Sequence, residues 1–450
     1  MILSRRAFLV AGPVAATYPR LAAVAASAGS DFANSVNTVH HQVSIGQSLE
    51  EGYNTNGVAT PSPLDAGRAK MFSIGVRLLG NGQEPAHKLD AVDPATLSSL
   101  VDLRAMQQGL GGQTSAPTFA HGRLAALSNG HGYLCSNVAV GSTSITDRAR
   151  GTAIYRNLLA GVEAGKRLVQ RAGRVYVITE LITKDGEQDS SSPGVPVTAE
   201  YWMTAKLKES AAINEDVKAI TGQTEDVITV TWQASYNAKP NQLAQLQLAL
   251  DHPQRFICVG PKFHLTPSRL HDGTRDPLHI DAASQARCGY EEARAVNIFR
   301  ATGHSPIPPH IANARLDKAS LILSGEFVGY IEGGMAIDTD LVSNMADGNY
   351  GLKFVQAGGG DVSIVRGSVR LGTRNSFTCQ LDRLPTGTDW RLLCGRHLDD
   401  SRAAPLSGPD GNSVRNCFRD QSTDSTPPIL GKSYPMYRWA AQWETPVSAI

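Results

Sequence analysis

Between residues 40 and 300 the chain alternates short apolar runs with longer stretches of helix-favouring composition, and this alternation narrows the available folds more than any other feature. Apolar runs suit strands buried on both faces, and parallel strands need long, usually helical, connections between them. The runs at 41–45, 136–140, 174–182, 226–232 and 255–259 predict strands. The Ala-, Leu-, Arg-, Lys- and Gln-containing stretches at 147–172 and 242–250 predict helices, and 282–299 predicts a closing helix. The expected fold class is therefore α/β, a three-layer domain built on a mainly parallel sheet.

The segment from Gly303 to His310 breaks that pattern with three prolines. Beyond it, 319–330, 351–355, 361–371 and 376–381 are β-prone runs punctuated by Gly and Asp, which predict a second, all-β, sandwich-like domain. The expected division is a leader at 1–28, an α/β domain at 29–302 and a β domain at 303–450.

Ser4-Arg5-Arg6-Ala7-Phe8-Leu9 sets paired arginines ahead of an apolar stretch, and Ala26-Ser27-Ala28 has the small-x-small form of a cleavage site. Together they predict a twin-arginine export signal and a periplasmic or secreted product. Pro13, Tyr18, Pro19 and Arg20 interrupt the stretch short of the ~20 residues that cross a bilayer, so no membrane insertion is expected after signal removal. An even balance of 42 Lys+Arg against 41 Asp+Glu provides no field to gather nucleic acid. Six cysteines in an exported chain allow up to three disulfides, with Cys379 and Cys394 a plausible pair. None has CxxC spacing, so a zinc site is not expected.

Ligands of open α/β sheets bind at the carboxyl ends of the strands. Gly46-Gln47-Ser48 follows the first predicted strand, Gly141-Ser142-Thr143-Ser144 the second, Asp185-Gly186-Glu187-Gln188-Asp189 the third, and Asp276-Pro277-Leu278-His279 lies past the last. A nucleophilic serine needs a base for its proton, and the base needs a carboxylate to fix its tautomer. Ser48, His279 and Asp276 supply these three roles, the last two from one short loop leading into a helix. The amides of Ser48 and Gly141 suit an oxyanion hole, since glycine permits close backbone approach. Gln47, Asn54, Ser142 and Glu187 are the expected substrate-binding residues.

These four blocks, in this order over residues 40–295, resemble the SGNH (GDSL-like) hydrolases, and most of all their sialate O-acetylesterase-like carbohydrate esterase branch. The resemblance implies a flavodoxin-like sheet, Ser48 as nucleophile, His279 as general base and acid, and Asp276 as orienting carboxylate. It also implies no metal or other cofactor, and acetylated oligo- or polysaccharide as substrate. One position departs from the branch: Asp185 stands where a Gln or His oxyanion donor is usual. Gln188 occupies the position of the wider superfamily's oxyanion-hole Asn, and its amide is the expected donor.

Competing readings are each tied to particular residues. Glu187 and Asp189 are two carboxylates of the kind glycoside cleavage requires, but being two apart they point the same way only if extended, and loop bracing is the preferred reading. His40 and His41 are adjacent but have no acidic or cysteine partner at ligand spacing. Neither Gly-x-Ser-x-Gly nor His-Glu-x-x-His occurs. Two alternatives use the same scaffold: a weak or inactive carbohydrate-binding, tail-fibre-like module, and a lipase or thioesterase, the latter disfavoured by the lack of a long apolar lid segment.

Overall fold

A computed structural model describes residues 37–78, 90–105, 112–189, 192, 194–196, 198–234, 240–373, 375–395, 409 and 415–450. The expected leader at 1–28 lies outside the described residues. No helix among the described residues is long and apolar enough to cross a membrane.

The chain is mixed α/β. Strands β1 (Thr38–Ser44), β2 (Ala69–Phe72), β3 (Leu100–Asp102), β4 (Gly132–Asn137), β5 (Val175–Thr183), β6 (Ile228–Gln233) and β7 (Phe256–Pro261) form one sheet in the order β3-β2-β4-β1-β5-β6-β7. All neighbours run parallel except the edge strand β3. The helices are α1 (Ser48–Glu51), α2 (Ala116–Leu124), α3 (Ala153–Arg171), α4 (Ala199–Thr221), α5 (Asn241–Asp251) and α6 (Ala282–Thr302). On one face Leu158 and Val162 of α3 and Ile213 and Val217 of α4 join Val43, Ile178 and Leu181 of the sheet in one core. On the other, Phe119 of α2 and Val296 and Phe299 of α6 do so with Tyr133, Ile228 and Val230. Each such side chain contributes ~1.5–3 kcal/mol by leaving water, which gives two cores on either side of the sheet and hence three layers.

The strand predicted at 136–140 is displaced: β4 ends at Asn137, and Val138 and Val140 run past it, donating their amides to the carbonyls of Ser44 and Gly46. The two histidines of β1 are structural. His40 Nε2 lies 2.9 Å from His131 Nδ1, and His41 is fixed between the Tyr176 hydroxyl (2.6 Å) and Ser136 Oγ (2.8 Å). No cluster of metal-ligating side chains occurs among the described residues.

Burial pushes the His41 pKa from 6.5 down to about 3. Between those values the unfolded chain binds a proton that the folded chain does not, so stability rises with pH and is lost as pH falls. The expected slope from this residue is about 1.4 kcal/mol per pH unit. Urea midpoints measured across that range should depend less steeply on pH in His41→Gln; an unchanged slope would show that His41 is not the linked group.

Helix α6 stops at Gly303, whose φ of 73° closes it in a left-handed cap. The described elements after it are all strands: β10 (His310–Asp317), β11 (Ile322–Val328), β12 (Met335–Ile337), β13 (Leu352–Ala357), β14 (Arg370–Leu371), β15 (Ser376–Gln380), β16 (Thr388–Cys394), β17 (Phe418–Asp420), β18 (Trp443–Pro446) and β19 (Ser448–Ala449). The preceding β8 (Pro267–Arg269) and β9 (Arg275–Ile280) form a separate antiparallel pair. Sheets β14-β15-β11-β10-β19 and β13-β16-β18 share a core that includes Leu316, Phe327, Phe354, Phe377 and Leu392.

This β region packs on the α/β unit. The Gln442 amide donates to Gln233 Oε1 and Gln233 Nε2 returns a bond to the Gln442 carbonyl, both 2.9 Å, while Trp439 stacks on His264. The expected disulfides are absent: all six cysteines are buried and free. Cys379 and Cys394 lie on β15 and β16, strands of different sheets, where they pack as small apolar side chains.

Candidate active site

The first strand ends in a tight turn that presents Ser48. A Cβ on Gly46 would stand 2.9 Å from the Lys184 carbonyl, so the turn closes against the end of β5 only with glycine there. Helix α1 lasts one turn and stops at Gly52, whose φ is 76° and whose Cβ position lies 2.3 Å from the Gln113 carbonyl.

Asp276 and His279 lie on β9, not in the loop expected from the sequence. The hairpin brings His279 Nε2 to 2.9 Å from Ser48 Oγ, and His279 Nδ1 to 2.9 Å from Asp276 Oδ2. An ionised carboxylate only accepts, so Nδ1 carries the proton and Nε2 is left to accept from the serine hydroxyl. Burial works against the charge of Asp276, but hydrogen bonds from the His279 ring and from the His279 and Leu278 amides outweigh it and hold the carboxyl well below the usual range.

Asn54, expected to touch substrate, instead donates through Nδ2 to Asp276 Oδ2 at 2.6 Å. Its backbone is left-handed, with φ of 51°, a conformation Asn tolerates better than most residues. Tyr53, which the sequence did not single out, sets its ring 4.9 Å from the His279 ring.

The other expected residues mostly face inward. Gln47 is buried, accepts the Gln188 amide (3.0 Å) and donates to Glu187 Oε2 (2.9 Å). Glu187 also pairs with Lys262 at 3.2 Å. Asp189 accepts from the Ile145 amide and the Trp202 indole. Gln47 and Glu187 therefore brace the loop after β5 and do not line a substrate surface, and the two loop carboxylates are not a glycosidase pair.

The Gly141 amide, expected to face an oxyanion, donates to Glu51 Oε2 at 2.7 Å, and Glu51 is ion-paired with Arg77. In the sequence Glu51 stands out only as part of the unusual Leu49-Glu50-Glu51 after the serine, a feature that favours the weak or inactive module. Gln188 Nε2 donates to Ser192 Oγ over a long 3.4 Å. The Ser48 amide, at the first position of α1, has no acceptor among the described residues. Ser142 is exposed, with a left-handed φ of 63°, while Ser144 caps residues 145–148.

Asp185 does not face this site. It is wholly buried between Arg148 (2.7 Å) and Lys206 (2.9 Å), with Glu209 completing a group of two cations and two carboxylates. Burial opposes its charge, yet Lys206 and Arg148 hold the carboxyl below its ordinary value.

No family model and no curated protein matches the sequence. Among solved structures, the chain is similar to a carbohydrate acetylesterase from Xanthomonas citri, at 11% identity and a TM-score of 0.50, over 90% of this chain and 80% of that one. A carbohydrate acetylesterase from Sinorhizobium meliloti matches at 12% identity and a TM-score of 0.33, over 58% of this chain and 99% of its own. The first likeness extends through both the α/β unit and the β region, and it is a likeness of fold.

Proposed function

We propose that this chain is an exported serine esterase of the SGNH type that removes O-acetyl groups from carbohydrate. The observation that carries the reading is the continuous hydrogen-bond chain from Ser48 through His279 to Asp276 and Asn54. The carbohydrate substrate is supported by the shared fold with an enzyme that is itself a carbohydrate acetylesterase.

In this scheme Ser48 Oγ attacks the acetyl carbonyl as its proton passes to His279 Nε2, and Asp276 steadies the imidazolium. The Ser48 amide holds the oxyanion, with Gln188 Nε2, which donates to Ser192 Oγ over 3.4 Å, turning toward the developing charge. His279 then returns the proton to the departing sugar hydroxyl. Water, deprotonated by the same histidine, attacks the acetyl-enzyme and releases acetate and the free serine. No cofactor enters the scheme.

The test is acetate release from acetylated polysaccharide by the wild type and by Ser48→Ala, together with p-nitrophenyl esters of increasing chain length. Equal release by both proteins would end the mechanism, and a preference for long acyl chains would end the carbohydrate assignment. The engagement of Gly141 by Glu51 favours a second reading, a glycan-binding protein with little catalytic power. That protein would bind the polysaccharide but resist labelling by a serine-reactive phosphonate.

A further inference from the structure

Beneath the nucleophile lies a group of ionisable side chains that acyl transfer does not use. Lys184, just after β5, is wholly buried, and its Nζ stands 2.8 Å from Glu50 Oε2, 2.8 Å from Glu292 Oε1 and 3.0 Å from Ser115 Oγ. Glu50 sits two residues after Ser48, in the nucleophile's own turn. Glu292 belongs to α6, the helix that follows the strand bearing His279. The Lys184 carbonyl also accepts the Gln47 amide, at 3.4 Å. One residue thus grips the turn from both sides, through its backbone at Gln47 and its ammonium at Glu50.

The charges of this cluster do not balance. The group around Asp185 has two cations for two carboxylates, whereas here one ammonium meets two carboxylates, all wholly buried. Other side chains facing it are Ser44 of β1, Ser115 ahead of α2, Trp232 of β6 and Cys288 of α6. Lys262, the further cation on the Cys288 side, is paired with Glu187, and Arg77 with Glu51. Glu292 Oε1 accepts from both Lys184 and the Trp232 indole, as a carboxylate does. Glu50 Oε1 and Glu292 Oε2 are both buried with no hydrogen bond of ordinary geometry among the described residues. The other oxygen of Glu292, however, receives two strong donors, Lys184 and the Trp232 indole, where that of Glu50 receives Lys184 alone, with the Ser44 hydroxyl beside the Glu50 carboxyl. An unpaired negative charge in such surroundings is strongly disfavoured against its neutral form.

We propose that Lys184 is a positioning residue for the esterase site and that its cluster carries one extra proton, on Glu50 Oε1, while the Ser48 turn is held in register. The proposal rests on the reading of Ser48 as nucleophile. Burial, opposed by Lys184 and reinforced by Glu292, pushes the Glu50 carboxyl up to about 7, so the proton is lost on passing through neutrality. Its loss sets a second buried carboxylate against Glu292 and loosens the turn that carries the serine.

Infrared difference spectra of the full chain, titrated across neutral pH, test the proton directly. The wild type should lose the carbonyl band of a buried carboxylic acid as pH rises. Glu50→Gln and Glu292→Gln should each lack that band, because either change leaves one ammonium facing one carboxylate. Its absence from the wild type, or its persistence in both variants, overturns the assignment.

For positioning, Lys184→Met should lower kcat for p-nitrophenyl acetate about tenfold or more with KM within about twofold. The wild-type kcat should decline through neutrality on a titration that both amide variants lack. An unchanged kcat in Lys184→Met, or the same decline in the amide variants, defeats the positioning role. Full activity in Ser48→Ala would defeat the esterase reading instead, while the infrared result would still report on the proton.

Discussion

Ser48→Ala should lower kcat for p-nitrophenyl acetate by about 10⁶ and Asp276→Asn by about 10⁴, both with little change in KM. Removing the serine oxygen leaves only oriented donors and binding to act on the ester. Asn at 276 keeps the shape of the site but reverses its proton: its amide nitrogen donates to His279 Nδ1, which forces the ring proton onto Nε2. The ring then has no lone pair for the Ser48 hydroxyl 2.9 Å away. Asn54 donates to the Asp276 oxygen that also receives the histidine, so Asn54→Ala removes a bond to a charged group. Such a bond contributes ~1.5–3 kcal/mol, or about tenfold to a hundredfold in rate. Steady-state kinetics and phosphonate labelling measure all three. Losses confined to KM would show that these residues bind substrate without taking part in the chemistry.

Arg148→Met should destabilise the fold by about 3–5 kcal/mol, because it leaves Asp185 and Glu209 buried with Lys206 as their sole remaining cation in the group. Burial opposes the charge on Arg148, and Asp185 and Glu209 overcome it, so the guanidinium is firmly ionised. Adding Asp185→Asn to Arg148→Met removes the uncompensated carboxylate and should restore part of the loss, since one cation then faces one anion. Urea midpoints of the two single variants and the double variant give the comparison. A loss in Arg148→Met below about 1 kcal/mol would mean that water reaches the cluster.

The same group shows why parts of the fold were illegible. The inward stripe of α4 runs through Trp202, Lys206, Glu209, Ser210, Ile213 and Val217, so charges occupy positions that an amphipathic helix ordinarily fills with apolar residues. Residues 199–221 accordingly carry no clear apolar stripe in the sequence. Asp185 looked like a misplaced oxyanion residue because nothing along the chain reveals that Arg148 and Lys206 converge on it.

The meeting of Ser48, His279 and Asp276 was legible because their residue types, order and placement along the chain suit one hydrogen-bonded group. Their immediate neighbours were not. Whether an amide beside the serine is free or taken depends on a side chain such as Glu51, whose direction is set by Arg77 from elsewhere in the fold. Cysteine count in a chain with an export-like leader suggested bridges, but the strands carrying Cys379 and Cys394 belong to different sheets.

The paired amides of Gln233 and Gln442 bear on the order in which the molecule is made. Gln233 closes β6, and the backbone groups its amide pairs with at residue 442 are synthesised 209 residues later. Until they arrive, the Gln233 Oε1 that receives the Gln442 amide lacks that donor. A chain stalled before residue 439 therefore holds Ser48, Asp276 and His279 yet lacks the Gln442 pairing at the end of β6 and the Trp439 ring on His264. Pairing at the end of β6 thus follows the synthesis of Ser48, Asp276 and His279, and it is reported by the segment around residue 442 rather than by those three residues.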